Sequence, residues 1–201
     1  MKIIGRGAES ILYFNKNKVI KDRISKGYRH KEIDIMKRKY PTRREAKLLK
    51  DAFKIGVNVP KVFDMDDNSM KVEMEFIDGK MLKDILDDSK KKKEICIKIG
   101  EQIAILHDNN IIHGDLTTSN MLLVKDKVYF IDFGLGFYSD KVEDKAVDLH
   151  LLRQAFESKH YKYFEEFFDN VLKGYKKSKN YSKVMKRLEK VEKRGRYKRK
   201  A

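Results

Sequence analysis

The sequence lacks the features that mark secreted, disulfide-stabilised or membrane-spanning proteins. Its 201 residues include one cysteine, two prolines and no tryptophan. A single cysteine excludes an internal disulfide framework and is typical of a reducing compartment, so a cytoplasmic protein is expected. No apolar run approaches the ~20 residues that cross a bilayer, and the amino terminus has no signal-peptide core, so no membrane contact is expected. Cys96 stands in an apolar run, which predicts an ordinary core residue.

The positive charge of the chain is concentrated near its carboxyl end. The formal net charge is +16, of which residues 173–200 hold +12, from 14 Lys or Arg and two Glu. Such a stretch is typical of a contact with nucleic acid or another polyanion, but a solvated Lys-rich helix has the same composition. Charge alone leaves both interpretations open.

The first part of the chain, residues 1–76, has the pattern of a small β-rich lobe. Residues 2–23 predict three short strands separated by turns. Pro41 favours the start of a helix that ends near Gly56. Residues 59–79 predict two further strands joined by an Asp/Asn/Ser turn. We therefore expect a five-stranded sheet and one helix in this lobe.

The second part of the chain, residues 77–201, has mainly helical patterns and ends in a basic tail over residues 190–201. Ile95, Ile99 and Ile103 recur at helical spacing and predict one buried face. Two apolar strands and then three more helical segments follow, and no repeat or Pro/Gly/Ser-rich linker divides the chain. We predict an α+β fold of two lobes around one cleft, forming a single domain.

A short polar island lies between two apolar runs in the stretch "IIHGDLTTSNMLL". It contains His113, Asp115 and Asn120, and a hairpin of two apolar strands would carry Asp132 back beside it. Asn120 and Asp132 can offer oxygen ligands to Mg²⁺, which takes one or two protein ligands together with substrate phosphates. Asp115 would face the same pocket and orient an attacking hydroxyl or water. The sequence therefore predicts a magnesium-nucleotide site between the lobes.

These residues resemble the signature of protein kinases. Asp115 with Asn120, followed by Asp132 in an Asp-Phe-Gly string, is similar to the kinase catalytic loop and metal-binding motif. A plain Asn/Asp-rich turn does not explain both motifs in this order. The resemblance implies that Asp115 is catalytic, that Asn120 and Asp132 bind Mg²⁺, and that His113 and Asp148 support the loop. For Asp148 a solvated helix position is an equal alternative.

The amino-terminal half supplies the remaining kinase parts in the expected order. The string "GRGAES" falls where a kinase keeps its glycine-rich phosphate cover, although the third glycine is missing and a simple turn explains it better in isolation. Lys21 matches the strand lysine that holds the α and β phosphates. The stretch between the lobes would read adenine through its backbone. The resemblance thus implies ATP-binding roles for Gly5, Arg6, Gly7, Ala8, Glu9, Ser10, Lys21, Glu45, Glu75, Phe76 and Ile77.

Glu45 has two explanations at the level of sequence. It shares the apolar side of its helix with Leu48 and Ala52, and a buried carboxylate needs a partner, for which Lys21 is the obvious choice. Thr42 to Glu45 also spells a capping box, which would need no nucleotide. The rest of the kinase pattern favours the ion pair.

The chain departs from ordinary protein kinases at the positions that serve peptide substrates. Gly114 stands where protein kinases place Arg, and Thr117 replaces a lysine of many Ser/Thr kinases. Only sixteen steps separate Asp132 from Asp148, and no Ala-Pro-Glu follows. We therefore expect no activation or peptide-docking segment and no platform for a peptide.

Together, "HGDLTTSNML", "IDFGLGF", "DKAVDLHLLRQAF" and "VEKRGRYKRK" resemble the small kinase of the KEOPS complex, the p53-related protein kinase family. RIO kinases are similarly short, but this tail and "TTSN" would not be expected from them. The resemblance implies a Mg-ATP-dependent atypical Ser/Thr kinase or ATPase that phosphorylates itself. It also implies a role in the threonylcarbamoyl modification of the tRNA adenosine next to the anticodon.

The same resemblance implies the partners of the chain. They are the threonylcarbamoyl transferase subunit on the helical lobe, a small bridging subunit on the β-rich lobe, and tRNA. The alternative is a non-catalytic adaptor that binds tRNA and the transferase, although the intact Asp115, Asn120 and Asp132 set argues against it. A further alternative is that the tail enters the cleft of its own chain. The tail residues concerned are Lys193, Arg194, Arg196, Lys198, Arg199 and Lys200.

Overall fold

The chain folds into a sheet-rich amino-terminal part and a helical carboxy-terminal part, which confirms the predicted α+β class. The structure is a computed structural model. It describes the backbone of residues 1–198 and the side chains of residues 1–194. Within this range one continuous apolar cluster joins the sheet to the helices. Cys96 belongs to this cluster as predicted, and burial raises the pKa of its thiol to about 12.

The amino-terminal part is an antiparallel sheet with one long helix packed on it. The helix α1 buries Ala46, Leu49 and Ala52, and it contacts the last two strands of the sheet. Lys16 and Asn17 both have positive φ and form the two-residue hairpin turn, whose twist suits the flanking strands. The strand order is β1-β2-β3-β5-β4. The bounds are β1 Lys2–Arg6, β2 Ser10–Asn15, β3 Lys18–Arg23, α1 Lys31–Lys54, β4 Val62–Asp66 and β5 Lys71–Glu75.

The predicted start of α1 at Pro41 is wrong, because the helix begins ten residues earlier, at Lys31. Pro41 lies inside the helix, where it removes one helical hydrogen bond. The first turns are anchored instead by the buried Asp34, whose carboxylate accepts hydrogen bonds from the preceding loop. Thr42 is therefore not a cap, and its hydroxyl donates to the Arg38 carbonyl at 2.7 Å. The capping-box explanation of Glu45 is wrong for the same reason.

The carboxy-terminal part contains the other five helices described by the structure. Helices α3 and α5 cross with their backbones in contact, and Gly100 and Gly174 lie at the crossing. Helix α6 packs against α4 and buries Val184 and Leu188. None of the helices within residues 1–198 is both long enough and apolar enough to span a membrane. The bounds are α2 Leu82–Ile85, α3 Lys92–Asp108, α4 Val142–Lys159, α5 Phe164–Tyr175 and α6 Tyr181–Lys198.

Five short strands hold the polar island and the Asp-Phe-Gly segment in place. The hairpin of β8 and β9 returns the chain beside the polar island, and β6 pairs with β8. The pairing of β7 with β10 holds the segment after Asp-Phe-Gly against the start of the polar island. The sequence did not predict β6, β7 or β10. The bounds are β6 Lys80–Met81, β7 Ile111–Ile112, β8 Met121–Val124, β9 Lys127–Phe130 and β10 Phe137–Tyr138.

Candidate active site

Three charged side chains from distant parts of the chain meet at one point. Lys21 lies on the buried face of β3, where alternate residues point into the protein. Its Nζ is 2.6 Å from Glu45 Oε1 and 2.7 Å from Asp132 Oδ1. Glu45 comes from α1 and is 1% exposed. The structure thus has the Lys21–Glu45 ion pair that the kinase pattern favoured, with Asp132 as a second partner.

Arg23 is a fourth member of this charged group and was not among the predicted site residues. Its Nη2 lies 2.6 Å from Glu45 Oε2, so each oxygen of Glu45 faces one cation. Arg23 is buried on the same face of β3 as Val19 and Lys21. The available signal was this alternation, since two cations at i and i+2 on an inward strand face need a buried anion.

Asp132 follows β9 in an unusual backbone conformation. Its φ is 60°, which only a few per cent of non-glycine residues adopt. The Gly134 N–H donates to Asp132 Oδ1 at 3.1 Å, and half of the side chain is exposed. Burial alone would raise the pKa of Asp132, but the charge and the hydrogen bond of Lys21 outweigh it and lower the pKa. The carboxylate is therefore ionised and accessible, as a metal ligand must be.

Asp115 and Asn120 form a rigid pair in the loop between β7 and β8. Asn120 ends a single 3₁₀ turn, and its Nδ2 donates to Asp115 Oδ2 at 2.8 Å and to the Asp115 carbonyl at 3.0 Å. Both donors of the amide are directed at Asp115, which leaves Asn120 Oδ1 for another partner. The Ile131 N–H donates to the Asn120 carbonyl at 3.0 Å, so Asp132 follows directly after this contact.

His113 is buried beneath the loop and ties it to the Asp132 segment. Its Nε2 donates to the Ile131 carbonyl at 3.2 Å, and its Nδ1 accepts from the Asp115 N–H at 3.3 Å. Its ring lies 4.5 Å from that of Phe133. Burial lowers the pKa of His113, although the charge of Asp148 opposes this. The imidazole is therefore neutral, and its two nitrogens join the Asp115 loop to the segment before Asp132.

Asp148 braces the loop from α4. Its carboxylate accepts from the His113 N–H at 3.0 Å and from the Gly114 N–H at 2.9 Å. A third contact, at 3.2 Å, comes from Nε2 of the buried His107, which pairs with Tyr175 through its other nitrogen. Asp148 is 1% exposed, so the alternative of a solvated helix position is wrong.

Gly114 has a steric reason to replace the arginine of protein kinases. Its φ is +78°, a conformation that L side chains rarely adopt. A Cβ at this position would lie 2.5 Å from the carbonyl oxygen of Leu135, in the segment that β10 holds against β7. The compact segment after Asp-Phe-Gly therefore excludes a side chain here.

The glycine-rich stretch forms a tight turn between β1 and β2. Gly5 and Arg6 end β1, Ser10 begins β2, and the Gly7 N–H donates to the Ser10 carbonyl at 2.9 Å. This N–H is thus used within the turn and is not free for a phosphate. Arg29 binds both oxygens of Glu9, at 2.7 and 3.1 Å, and lowers the pKa of that carboxyl. Ala8 lies between these contacts.

The predicted adenine-reading stretch follows β5. The Glu75 N–H donates to the Lys61 carbonyl at 2.9 Å, and the Phe76 N–H donates to the Asn17 carbonyl at 3.3 Å. The ring of Phe76 packs edge-on against Phe14, with centroids 4.8 Å apart. Within residues 1–198, the Ile77 N–H has no hydrogen-bond acceptor in the protein. Of the three predicted residues, Ile77 therefore keeps a backbone donor for a ligand.

The basic tail begins as part of α6. Arg194 pairs with Glu143 on α4 at 3.2 Å, and Arg187 pairs with the same carboxylate. Lys193 is exposed on α6. The other predicted tail residues have no described side-chain surroundings: Arg196 and Lys198 lie in the last turns of α6, and Arg199 and Lys200 lie outside the described residues.

The oxygen ligands of the site suit a metal that is shared with a phosphate. Among the described residues there is no group of three His, Cys, Asp or Glu that could hold a metal alone. Asn120 and Asp132 nevertheless offer an amide and a carboxylate oxygen, both hard donors. Mg²⁺ is usually bound by one or two carboxylates together with substrate phosphates. The residues present therefore fit Mg²⁺ as part of a nucleotide complex.

Comparison with known proteins assigns the chain to a family. The RIO-domain family model matches residues 6–162. The KEOPS complex subunit Bud32 of Pyrococcus abyssi (strain GE5 / Orsay) is 46% identical, over 98% of this chain and 96% of that protein. The chain is a Bud32-type member of the RIO-domain family. The predicted relationship to the KEOPS kinase is confirmed. The RIO-domain model ends at residue 162 and so does not include the basic tail, on which part of the distinction from RIO kinases was based.

One further relative and one solved structure extend the comparison. A probable bifunctional tRNA threonylcarbamoyladenosine biosynthesis protein of Methanobrevibacter smithii is 47% identical over 97% of this chain. The Bud32-type chain spans only 36% of that protein. The crystal structure of a Rio2 kinase-ADP/Mg²⁺-phosphoaspartate complex from Chaetomium thermophilum has a TM-score of 0.65 and 16% identity, over 96% of this chain and 70% of that one. This likeness shows the kinase-like fold.

Proposed function

We propose that the chain binds Mg-ATP and transfers its γ-phosphoryl group, as an atypical Ser/Thr kinase that also hydrolyses ATP and phosphorylates itself. The observation that carries the proposal is the meeting of Lys21, Glu45 and Asp132 beside the paired Asp115 and Asn120. Phosphoryl transfer needs positioned reactants and stabilised charge more than covalent chemistry. A lysine, three carboxylates and an amide held by buried neighbours supply both.

Asn120 and Asp132 are the proposed metal ligands. The amide of Asn120 directs its donors at Asp115, so its oxygen is available to a cation. Asp132 is ionised and half exposed, and a cation would replace Lys21 as its partner. Bound Mg²⁺ would neutralise charge on the phosphates and hold them in line for transfer.

Asp115 and Lys21 have the other two proposed roles. Asp115 accepts a hydrogen bond from the attacking hydroxyl or water, and the Asn120 amide fixes the orientation of its carboxylate. Lys21 donates to the α and β phosphates while Glu45 keeps it in place. The Ile77 N–H is the proposed donor to adenine, and the turn between β1 and β2 covers the phosphates.

We further propose that the chain works in the cytoplasm as a KEOPS subunit that supports threonylcarbamoyl modification of tRNA next to the anticodon. The names of its relatives, a KEOPS subunit and a tRNA threonylcarbamoyladenosine biosynthesis protein, support this assignment. The proposed partners are the transferase subunit on the helical part, a small bridging subunit on the sheet-rich part, and tRNA.

A non-catalytic adaptor function is the second candidate, and the surface of α6 favours it. Lys183, Lys186 and Lys190 are exposed and line a surface depression of about 330 Å³ between α6 and the start of α4. Clustered cations on one face can bind the phosphates of RNA without any nucleotide chemistry. RNA binding and phosphoryl transfer can occur in one chain, since the depression and the proposed ATP site use different residues.

The replacement of Asp132 by alanine tests the catalytic proposal. Asp132→Ala is expected to lower ATP turnover more than about 100-fold, since it removes a proposed metal ligand whose effect appears in the transition state. The fold should survive, because Lys21 keeps Glu45 as its partner. The measurements are phosphate release at saturating Mg²⁺ and the melting temperature.

Asp126→Ala is the matched control. Asp126 lies exposed in the hairpin turn between β8 and β9, and its carboxylate pairs with the exposed Lys91. Its replacement should leave ATP turnover unchanged. Wild-type turnover by Asp132→Ala would contradict the catalytic proposal and leave the adaptor function.

A second experiment measures ATP turnover by the wild-type chain, first alone and then with tRNA and the transferase subunit added. Stimulation only in the assembly would favour the ATPase function over a free-standing kinase.

A further inference from the structure

Arg23 is a buried cation next to the proposed phosphate site, and none of the roles assigned so far includes it. Its guanidinium binds Glu45 Oε2 at 2.6 Å while Lys21 binds Glu45 Oε1 at 2.6 Å. Arg23 and Lys21 point inward from the same face of β3. Glu45 therefore bridges two neighbouring cations of one strand.

The charges of this group balance only when Arg23 is counted. Lys21 and Arg23 face Glu45 and Asp132, two cations against two carboxylates. Lys21 must turn its donors toward phosphates when it binds a nucleotide, and Asp132 must turn toward the metal. The contact between Arg23 and Glu45 competes with neither change. Arg23 thus keeps the buried Glu45 neutralised whether or not a nucleotide is bound.

Arg23 also connects β3 to α1 and to the Asp-Phe-Gly segment. Its carbonyl accepts from Arg38 on α1 at 3.4 Å, and its side chain reaches Glu45 two turns further along the same helix. A Cβ on Gly134 would lie 3.3 Å from Arg23 Nη2, so the glycine leaves room for the guanidinium. The Arg23 guanidinium therefore binds α1 through Glu45 and lies beside Gly134 of the Asp-Phe-Gly segment.

We propose that Arg23 is a positioning residue that holds the Glu45 carboxylate, and with it α1, in the arrangement in which Lys21 can bind phosphate. This inference rests on the proposed phosphotransfer function. In ordinary protein kinases the pairing of the strand lysine with the helix glutamate is controlled by helix position and activation-loop phosphorylation. This chain has β10 and a short turn between Asp132 and α4, and Arg23 fixes the pair without such control.

A double-mutant cycle between Arg23 and Glu45 tests the inference in the full-length chain. Arg23→Met is expected to lower kcat/KM for ATP by about tenfold or more, since groups in one buried network couple strongly. Glu45→Gln should lower it as well. The double variant Arg23→Met/Glu45→Gln should be no worse than Glu45→Gln alone, because Arg23 acts only through Glu45. A merely structural arginine would not produce this dependence.

Two further variants sharpen the test. Arg23→Lys keeps the charge and one donor, and it should recover most of the activity that Arg23→Met loses. Arg43→Met is the matched control, since the exposed Arg43 also lies in the amino-terminal part and pairs with a carboxylate, that of Asp67. It should retain wild-type kcat/KM. Melting temperatures would show that each variant is folded at the assay temperature.

The outcomes separate this inference from the proposed function. Wild-type kcat/KM in Arg23→Met would overturn the inference while the function stands. Equal losses from Arg23→Met in the wild-type and Glu45→Gln backgrounds would also overturn it, since Arg23 would then act independently of Glu45. A wild-type chain that neither binds nor hydrolyses Mg-ATP, measured by calorimetry and phosphate release, would remove the function and the inference together.

Discussion

At the scale of single residues, the buried carboxylate of Asp148 decides the shape of the catalytic loop. Asp148 accepts hydrogen bonds from two successive backbone N–H groups, those of His113 and Gly114. The buried His107 completes the set. Three donors converge on this one carboxylate. An asparagine amide of the same size cannot replace it, because one of the two terminal atoms of the amide is a donor.

We therefore predict that Asp148→Asn destabilises the fold by about 2–4 kcal/mol, since it leaves buried donors unpaired. It should also lower kcat for ATP at least about tenfold, because the loop that carries Asp115 loses its brace. Urea unfolding and steady-state kinetics measure the two effects. Asp144→Asn, one turn earlier on α4 and bonded to the Ser139 hydroxyl, should change both little. Equal effects of the two variants would contradict the role of Asp148.

His113 makes folding stability depend on pH. Burial lowers the pKa of His113 below 6.5, so below pH 6.5 the unfolded chain binds a proton that the folded chain does not. Stability should therefore fall as the pH drops from about 6.5 toward the folded pKa, by at most about 1.4 kcal/mol per pH unit from this group. In His113→Gln this part of the pH dependence should be absent.

The measurement is urea unfolding of both proteins at pH 7.5 and pH 5.5. The stability difference between wild type and His113→Gln should be smaller at the lower pH. His30→Gln, at the exposed residue before α1, serves as the control and should show the same small difference at both values. A difference for His113→Gln that does not change with pH would mean that His113 does not contribute to the acid sensitivity.

The sequence allowed the main polar residues to be predicted because their spacing is their signal. Asp115, Asn120 and Asp132 stand at intervals that a loop and a hairpin bring together, and the structure has that hairpin. The signal of Arg23, its alternation with Lys21 along β3, was hard to recognise because the chain has 47 Lys and Arg. The steric requirement for glycine at position 114 could not be predicted either, because the β7–β10 pairing brings the Leu135 carbonyl close to it.

At the scale of elements, two glycines set the distance between α3 and α5. A Cβ on Gly100 would overlap the Val171 carbonyl oxygen, and a Cβ on Gly174 would overlap the Ile97 carbonyl oxygen. These are backbone atoms in the interior of helices, so neither helix can yield locally. The close crossing allows Tyr175 of α5 to reach His107 of α3, which in turn binds Asp148.

We predict that Gly100→Ala destabilises the protein by about 3 kcal/mol or more, although alanine is the better helix former. Because the helices must separate, ATP turnover should fall as well in the folded fraction. Gly27→Ala is the control, since no atom lies within 4 Å of its Cβ position, and its effect on stability should stay within about 1 kcal/mol. Thermal unfolding and kcat measure the effects, and a neutral Gly100→Ala would show that the helices repack freely.

The boundaries of elements could be predicted where a local sequence pattern sets them. The prediction was wrong where contacts between distant residues set the boundary. The hairpins of β2 with β3 and of β8 with β9 follow from apolar runs around short polar turns. The start of α1 was wrong because proline favours a first turn, whereas the helix is anchored earlier by Asp34, which binds Ser25 and the Lys26 N–H. Strands of two residues, such as β7 and β10, exist only through their partners and leave no local pattern.

At the scale of the whole molecule, the proposed chemistry and the proposed RNA contact lie on different elements. The ATP site combines β3, α1 and the loops around β8 and β9. The exposed lysines of α6 lie beside α4, whose other face carries the brace of the catalytic loop. One helix therefore separates the two surfaces, which allows each function to be removed alone.

We predict that replacement of Lys183, Lys186 and Lys190 by glutamine weakens tRNA binding while ATP turnover of the isolated chain stays at the wild-type value. Each lost phosphate contact should reduce the slope of log affinity against log salt by about 0.7–0.9, so the triple variant should lose about 2–3. Filter binding or fluorescence anisotropy between 50 and 300 mM salt, taken as about the usable range, measures the slope.

The control removes the same charge elsewhere, by glutamine at Lys54, Lys91 and Lys93, which are exposed at the end of α1 and around the start of α3. This variant should keep the wild-type salt slope. The slope depends on the number of phosphate contacts, and this variant loses charge without losing such contacts. Asp132→Ala should in turn keep tRNA binding and lose ATP turnover.

An equal slope change in both triple variants would show that net charge, and not the α6 surface, attracts the RNA. If the α6 variant lost turnover as well, the tRNA surface and the ATP site would be coupled through α4, whose Asp148 holds the catalytic loop on one side while Glu143 meets α6 on the other.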